Sequence, residues 1–257
     1  MILEAILLGL IQGLTEWLPI SSSGHLVIAQ ELLGIDVPLL FDVMLHFGTL
    51  LAVFAFFWKD IVKILKSLVK LDFKSQSGEL IPSIVIGSIP VFFAGIIFYD
   101  LIEILFKNIF IVSIALIITG IILFLTKHTK GRKNLTLFDS LLIGFAQAFA
   151  LVPGISRSGL TISTGLFRDV KKELVFKFSF LLSIPAVLSA NLWELSNLII
   201  NNTRIDFVPY VTGTAIAAIV GYLSLKVLFR MLKKEKFYLF SYYCLIVGLA
   251  LLIITVV

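Results

Sequence analysis

The sequence predicts an all-α integral membrane protein with six full crossings and two re-entrant helix hairpins, arranged as an inverted-topology repeat. Composition is the first observation behind this. Of 257 residues, 59% are hydrophobic and only 14% charged, whereas an ordinary soluble domain is about 45–50% apolar and about 25% charged. A soluble fold has too little interior for so much apolar surface. The other two observations are the lengths of the apolar runs and the places where lysine and arginine interrupt them. Together they exclude a disordered chain, a secreted disulfide scaffold and a soluble nucleic-acid binder. The net charge of +5 belongs to short loops and is explained by membrane orientation. The single cysteine, Cys244, lies in an apolar run and permits no internal disulfide or cysteine metal site.

Residues 1–18 lack a basic leader and carry Glu4 and Glu16. They are expected to belong to the mature fold and not to a signal peptide. A crossing helix needs about 20 apolar residues. Six runs qualify, at 39–58, 81–105, 109–126, 174–195, 207–230 and 237–257. Four others, at 2–18, 24–33, 136–152 and 159–167, are shorter or end at a proline. They form two pairs, joined by Pro19-Ile20-Ser21-Ser22-Ser23 and by Pro153-Gly154-Ile155-Ser156-Arg157-Ser158. A short helix, a Pro/Gly/Ser break and a second short helix suggest a hairpin that returns to the side it entered. Broken backbone at membrane depth is tolerated only where protein or a watery cavity surrounds it.

Of the 21 lysines and arginines, 17 lie in residues 58–81, 127–135, 168–177 and 230–236. With six crossings and two returning pairs, all four segments fall on one side. The positive-inside rule makes that side cytoplasmic and puts both termini outside. Paired full crossings in place of hairpins would give the same sidedness.

The two broken segments also resemble each other. An offset of 135 aligns Gly9 with Gly144, Gln12 with Gln147, Ile20 with Ile155, Ser21 with Ser156, Ser23 with Ser158 and Gly24 with Gly159. Phe41 and Phe176 continue the same offset, and Gly87 and Gly95 match Gly213 and Gly221 at 126. The repeats are residues 1–126 and 136–257, within one membrane domain. Three crossings separate the hairpins, so the second is inverted. Inverted repeats build sites near the midplane, where broken helices meet. Helix N-termini after both turns would aim N–H groups into one space suited to an anion such as phosphate.

Ionisable groups at bilayer depth are functional candidates by default. Glu16 lies one helical turn after Gln12 on the same face. Two oxygen-bearing side chains so placed suit a hard divalent cation completed by phosphate and water, although a polar pair tying helices together would look the same. His25 follows the first turn directly, as general base or nucleophile, or as a satisfied buried histidine. Ser22 is within local reach of His25, as an activated nucleophile or phosphate ligand. Serines in such a run also serve as turn and cap formers. Arg157 has a planar fork suited to phosphate oxygens. Thr161, one turn on, adds a hydroxyl to the site or faces a neighbouring helix. His46 on its apolar crossing reads as a group satisfying a neighbour, His128 as part of a basic loop, and Lys226 as a snorkelling side chain. Asn201-Asn202-Thr203 matches a glycosylation sequon, a common chance pattern. No Walker A loop, dinucleotide fingerprint, zinc spacing or G-x-S-x-G elbow is present, so ATP-driven transport and hydride chemistry lack support.

The stretch Gln12-Gly13-Leu14-Thr15-Glu16-Trp17-Leu18-Pro19-Ile20-Ser21-Ser22-Ser23-Gly24-His25 closely resembles the first signature of the undecaprenyl-diphosphatase family, the bacitracin-resistance membrane phosphatases. Pro153-Gly154-Ile155-Ser156-Arg157-Ser158-Gly159-Leu160-Thr161 resembles its second. The resemblance runs along the whole chain in length, span pattern and repeat. It implies hydrolysis of undecaprenyl diphosphate to undecaprenyl phosphate and inorganic phosphate, which recycles a lipid carrier for bacterial cell-wall synthesis. It also implies a divalent cation, Mg2+ or Ca2+, and no ATP.

By motif position, Gln12 and Glu16 match the family's paired Glu/Gln–Glu element as metal ligands, Ser22 and His25 its catalytic Ser and His, and Arg157 its phosphate-binding Arg. Many relatives have Glu where this chain has Gln12, so Glu16 becomes the main anionic ligand. The nucleophile is left among Ser22, His25 and water. Ser21, Ser23, Gly154, Ser156, Ser158 and Thr161 are expected to contact substrate. The expected partners are undecaprenyl diphosphate and membrane lipid, without nucleic acid, and a homodimer is left open. The expected location is the bacterial cytoplasmic (inner) membrane, multi-pass, with the active site opening to the outer face. The competing reading is a flippase or transporter for a polyprenyl phosphate, which needs the anion site but no nucleophile. A purely structural subunit would leave the buried Glu, His and Arg without a role.

Overall fold

The computed structural model describes residues 2–106, 108–200 and 206–256. Lys107, the sequon at 201–203 and Arg204 lie outside the described residues. Within them the chain is helical, with one isolated bridge between Lys133 and Val170 and no strand. Helix α1 (Ile2–Thr15) leads through the first break into α2 (Ser22–Leu33). Helices α3 (Leu39–Phe56), α4 (Trp58–Val69), α5 (Leu80–Ile97), α6 (Tyr99–Phe106) and α7 (Ile109–Leu125) follow. Helix α8 (Leu137–Phe149), the second break and α9 (Arg157–Phe167) come next, then α10 (Lys172–Ile200), α11 (Phe207–Lys233) and α12 (Phe240–Val256).

Among the described residues, six helical segments are long and apolar enough to cross a membrane, and they fall on α3, α5, α7, α10, α11 and α12. The chain is therefore a multi-pass membrane protein. These segments coincide with the six apolar runs read from sequence, because a bilayer admits backbone only when its polar groups are satisfied within the segment. The differences are local. The run at 81–105 divides at Phe98 into α5 and α6. The basic stretch after α3 is not a plain loop. Its lysines, 59, 63 and 66, recur at helical spacing between apolar residues, and α4 forms with Ile61 and Ile64 packed on the core.

The break ends are set by local chemistry. Ser21 takes a left-handed φ of 67°, and its hydroxyl accepts from Gly24 N–H at 3.3 Å to cap α2. Ser156 caps α9 in the same way, accepting from Gly159 N–H at 3.1 Å. Both helices thus start two residues earlier than the apolar runs alone indicate. Helix α8 opens on a reciprocal capping box between Thr136 and Asp139.

Packing depends on small residues. Helix α1 lies against α11 where Gly9 meets the Gly213 backbone, and α8 lies against α5 where Gly144 meets the Gly87 backbone. Close backbone approach replaces the hydrophobic driving force that lipid does not supply. Helices α7 and α12 form a third close pair, and α3 packs on both α10 and α11. The largest buried cluster joins Trp17, Phe57, Phe176 and Phe180 with residues of α9, α10 and α11.

The four basic segments meet at one end of the bundle. Asp60 pairs with Lys177 at 2.6 Å, Lys172 with Glu235 at 2.5 Å, and Lys233 with Glu173 at 2.9 Å. Lys133 and Arg168 both pair with Asp139, each at 2.8 Å. Asp139 is fully buried, which by itself raises its pKa. Hydrogen bonds from Lys133, Arg168 and Thr136 outweigh that and bring it down to about 2.

Candidate functional site

The first break and the second face each other. A methyl group at Gly24 would lie 3.2 Å from Gly154 Cα, and one at Gly159 would lie 3.3 Å from Pro19 Cβ. Gly154 itself holds a φ of 93°, a conformation open to glycine, and its carbonyl accepts from Thr119 of α7 at 3.2 Å. The same Thr119 hydroxyl accepts the Ser156 N–H at 3.2 Å, which anchors the second break to α7.

Glu16 is the centre of this arrangement. Its backbone N–H still bonds Gln12 O at 2.9 Å, so it extends the last turn of α1 and points where Gln12 points. The residue is 7% exposed. Its Oε1 forms an ion pair with Nη2 of Arg157, the first residue of α9. Its Oε2 accepts from Ser22 Oγ at 2.5 Å and from Gln12 Nε2 at 3.1 Å, and His46 Nδ1 of α3 lies 3.1 Å away. Gln12 Nε2 also lies 2.8 Å from His46 Nδ1. One carboxylate therefore joins both breaks and α3. Unpaired carboxylates are costly in a dry interior, so such a ring of donors is the physical condition for keeping the charge there.

Arg157 is held from a second side. Its guanidinium lies over the fully buried Trp17 ring, 4.9 Å from the centroid, and Trp17 meets Phe180 edge-on at 5.2 Å. Two buried polar atoms of the groups bonded to Glu16 have no hydrogen-bond partner among the described residues: Gln12 Oε1 and Arg157 Nη1. Buried polar atoms without partners are uncommon, and each needs an explanation. An acceptor and a donor left unused around one carboxylate can serve a charged ligand.

His25 does not bond Ser22. Its Nδ1 lies 2.7 Å from the Ser21 carbonyl, its Nε2 lies 2.7 Å from the Tyr243 hydroxyl, and the His25 and Tyr243 rings stack with centroids 5.6 Å apart. The expected Ser22–His25 partnership is replaced by Ser22–Glu16 and His25–Tyr243. The physical reason is that the turn tucks the Ser22 hydroxyl back over the end of α1, while the His25 ring leans out toward α12.

The remaining hydroxyls serve the turns. Ser21 Oγ lies 3.3 Å from Ser23 Oγ, and Ser156 Oγ lies 3.3 Å from Ser158 Oγ. Ser158 donates to Leu18 O at 3.3 Å, across the two breaks. Thr161 donates to Arg157 O at 2.7 Å and meets Ser179 Oγ at 2.5 Å, so it faces α10. His46, read from sequence as a group satisfying a neighbour, does so beside Gln12 and Glu16. Two members of the arrangement were not singled out from sequence. Trp17 stood inside the first motif. Tyr243 is 218 residues from its partner and had no sequence signal.

Among the described residues, no three His, Cys, Asp or Glu side chains cluster as a metal cage. A cation here would rest on fewer protein ligands. Glu16 beside the unpartnered Gln12 Oε1 offers two hard oxygen atoms, which suits a metal that takes its other ligands from phosphate and water.

Comparison of the sequence with known proteins identifies a family. Residues 5–250 match the family model described as bacitracin resistance protein BacA. A protein of Methanosphaera stadtmanae named undecaprenyl-diphosphatase is 39% identical, covering 100% of this chain and 99% of that one. A protein of the same name from Carboxydothermus hydrogenoformans is 42% identical over 98% of this chain and 96% of its own length. One from Halothermothrix orenii, again so named, is 40% identical over 98% of each chain. The chain belongs to the BacA family of bacitracin resistance proteins.

Proposed function

We propose that this membrane protein hydrolyses undecaprenyl diphosphate to undecaprenyl phosphate and inorganic phosphate, recycling a lipid carrier for cell-wall synthesis. The observation that carries this reading is the Glu16 carboxylate, joined to Ser22 in its own break and to Arg157 in the other. The family and the names of its members support it.

In this reading the two short-helix pairs are re-entrant, and residues 1–126 and 136–257 are inverted repeats. The packing supports that: Gly9 meets Gly213 while Gly144 meets Gly87, and each partner of one contact is the repeat equivalent of a partner of the other. The basic end faces the cytoplasm of a bacterial cell, in its inner membrane, and the site opens to the outer face. The prenyl tail stays in lipid.

Glu16 and Gln12 Oε1 would hold the divalent cation, Mg2+ or Ca2+. Such a cation neutralises the charge of the diphosphate when bound. Arg157 Nη1 donates to a phosphate oxygen while Nη2 remains on Glu16, and Trp17 keeps the guanidinium plane in place. Ser22 Oγ is the favoured nucleophile, because its hydrogen already points at Glu16 Oε2. In the transfer step Oγ bonds the terminal phosphorus, its proton passes to Glu16, and the bridging P–O bond breaks to release undecaprenyl phosphate. In the second step a water oxygen bonds the phosphorus with His25 as the base that takes its proton, the P–Oγ bond breaks, and Glu16 returns its proton to Ser22 Oγ as inorganic phosphate leaves. Most of the rate comes from positioning and charge stabilisation.

The test is phosphate release from undecaprenyl diphosphate by purified protein in detergent, with Mg2+, Ca2+ or chelator. Cation-dependent release that is lost in Glu16→Ala, Ser22→Ala and Arg157→Ala supports the reading. Release that survives Glu16→Ala removes the assigned ligand. No release from folded wild-type protein moves the flippase reading to first place.

A further inference from the structure

Helix α12 reaches the first break at two adjacent residues. Cys244 Sγ lies 3.5 Å from Pro19 O, and the Tyr243 hydroxyl lies 2.7 Å from His25 Nε2. Val247 and Leu251, further along α12, share one apolar cluster with Val112 and Leu116 of α7, and Val27 and Ile28 of α2 pack against that cluster. The C-terminal helix is thus seated on α7, and it reaches the helix that carries His25 through Tyr243.

The hydrogen bonds of His25 decide its tautomer. A carbonyl oxygen can only accept, so Nδ1, at 2.7 Å from Ser21 O, carries the proton. In the neutral ring Nε2 then has the lone pair, and the phenol O–H of Tyr243 donates to it. The nearly parallel stack, 15° between ring planes, restricts rotation about the Cβ–Cγ bond. Ser21 O and Tyr243 therefore grip the imidazole from opposite sides, with Nε2 as the nitrogen left to act as base.

We propose that Tyr243 is a positioning residue for His25, holding it as the Nδ1–H tautomer with the Nε2 lone pair directed at the hydroxyl until substrate arrives. This rests on the phosphatase reading above, in which His25 serves the reaction. Such control fixes the ring although it has no bond to Glu16 or Ser22. It also gives the second half of the chain a share in the first break besides Arg157.

The experiment uses the full-length protein in detergent, labelled with 15N-histidine. The chain has only three histidines, so single substitutions assign the His25 signals. Tyr243→Phe keeps the ring stack and removes the hydroxyl, and Tyr242→Phe is the neighbouring control. In Tyr243→Phe the Nε2 resonance of His25 should move toward that of an unbonded pyridine-type nitrogen, with Nδ1 still protonated. The kcat for phosphate release should fall about tenfold with KM little changed, as expected for one lost orienting hydrogen bond. In a His25→Gln background the same change should cost nothing further.

An unmoved Nε2 resonance overturns the proposal. So does a rate loss of equal size in both backgrounds, which would mean that Tyr243 acts on the fold and not through His25. Absence of phosphate release from wild-type protein would instead overturn the phosphatase reading, and the spectral change would still report the His25–Tyr243 bond.

Discussion

The two breaks share a backbone plan and differ in their chemistry. Each has a serine cap accepting from the glycine three residues on, and each has a second serine 3.3 Å from the first. At the repeat offset, however, Glu16 faces Leu151, Ser22 faces Arg157, His25 faces Leu160 and His46 faces Leu181. The first break holds the acid, the hydroxyl and the histidine. The second supplies one cation. A duplicated scaffold thus presents two matched turns to one space, and substitution at a few positions makes them complementary. Two copies of the first break would place two unpaired carboxylates together, and two of the second would place two guanidinium groups together, both costly in a low-dielectric interior.

This asymmetry can be tested by moving residues between the breaks. Glu16→Leu should lower phosphate release by about 1000-fold or more, since it removes the group that gathers Ser22, Gln12 and Arg157. Adding Leu151→Glu should not restore it; restoration would mean that the two breaks are functionally interchangeable. A smaller loss, about 100-fold in kcat/KM, is expected for Arg157→Lys. That change keeps the charge but loses the fork that lets one nitrogen hold Glu16 and another reach phosphate. Steady-state kinetics beside wild type would detect it.

Stability separates the breaks as well. Asp139, near the start of α8, is bonded by Lys133, Arg168 and Thr136. Asp139→Asn should lower stability by about 2 kcal/mol, read from the thermal unfolding midpoint in detergent. Its folded pKa of about 2 lies below the ordinary carboxylate value near 3.8. The contribution is therefore complete above pH 4 and disappears as pH falls from about 4 to 2. A wild-type midpoint that stays flat across that range would contradict it.

The smallest contrast concerns the paired glutamines. Gln147 is buried with neither amide atom bonded, whereas Gln12 bonds Glu16 and His46. Gln147→Leu should be neutral or stabilising by up to about 1 kcal/mol and leave activity intact, while Gln12→Leu should reduce activity. Equal losses in both would place Gln147 in the site.

Much of the fold was legible before any coordinates. Apolar run length located the six crossing segments, since each must satisfy its backbone internally over a fixed hydrocarbon thickness. The breaks were legible because proline and serine interrupt those runs, and Arg157 and Glu16 because charge in such a setting is conspicuous. Helix α4 was missed because its lysines marked it as loop, although their spacing was helical.

Sequence by itself determined that the chain is a multi-pass membrane protein, where its helices break, and which motifs relate it to the BacA family. Only tertiary structure decided who partners whom: Ser22 with Glu16 and not with His25, His46 with Gln12 and Glu16, and His25 with Tyr243. Local spacing places two residues on neighbouring turns, but a side chain a few bonds long chooses among all groups that the packing brings within about 3 Å. In this protein those groups come from helices as many as 218 residues apart.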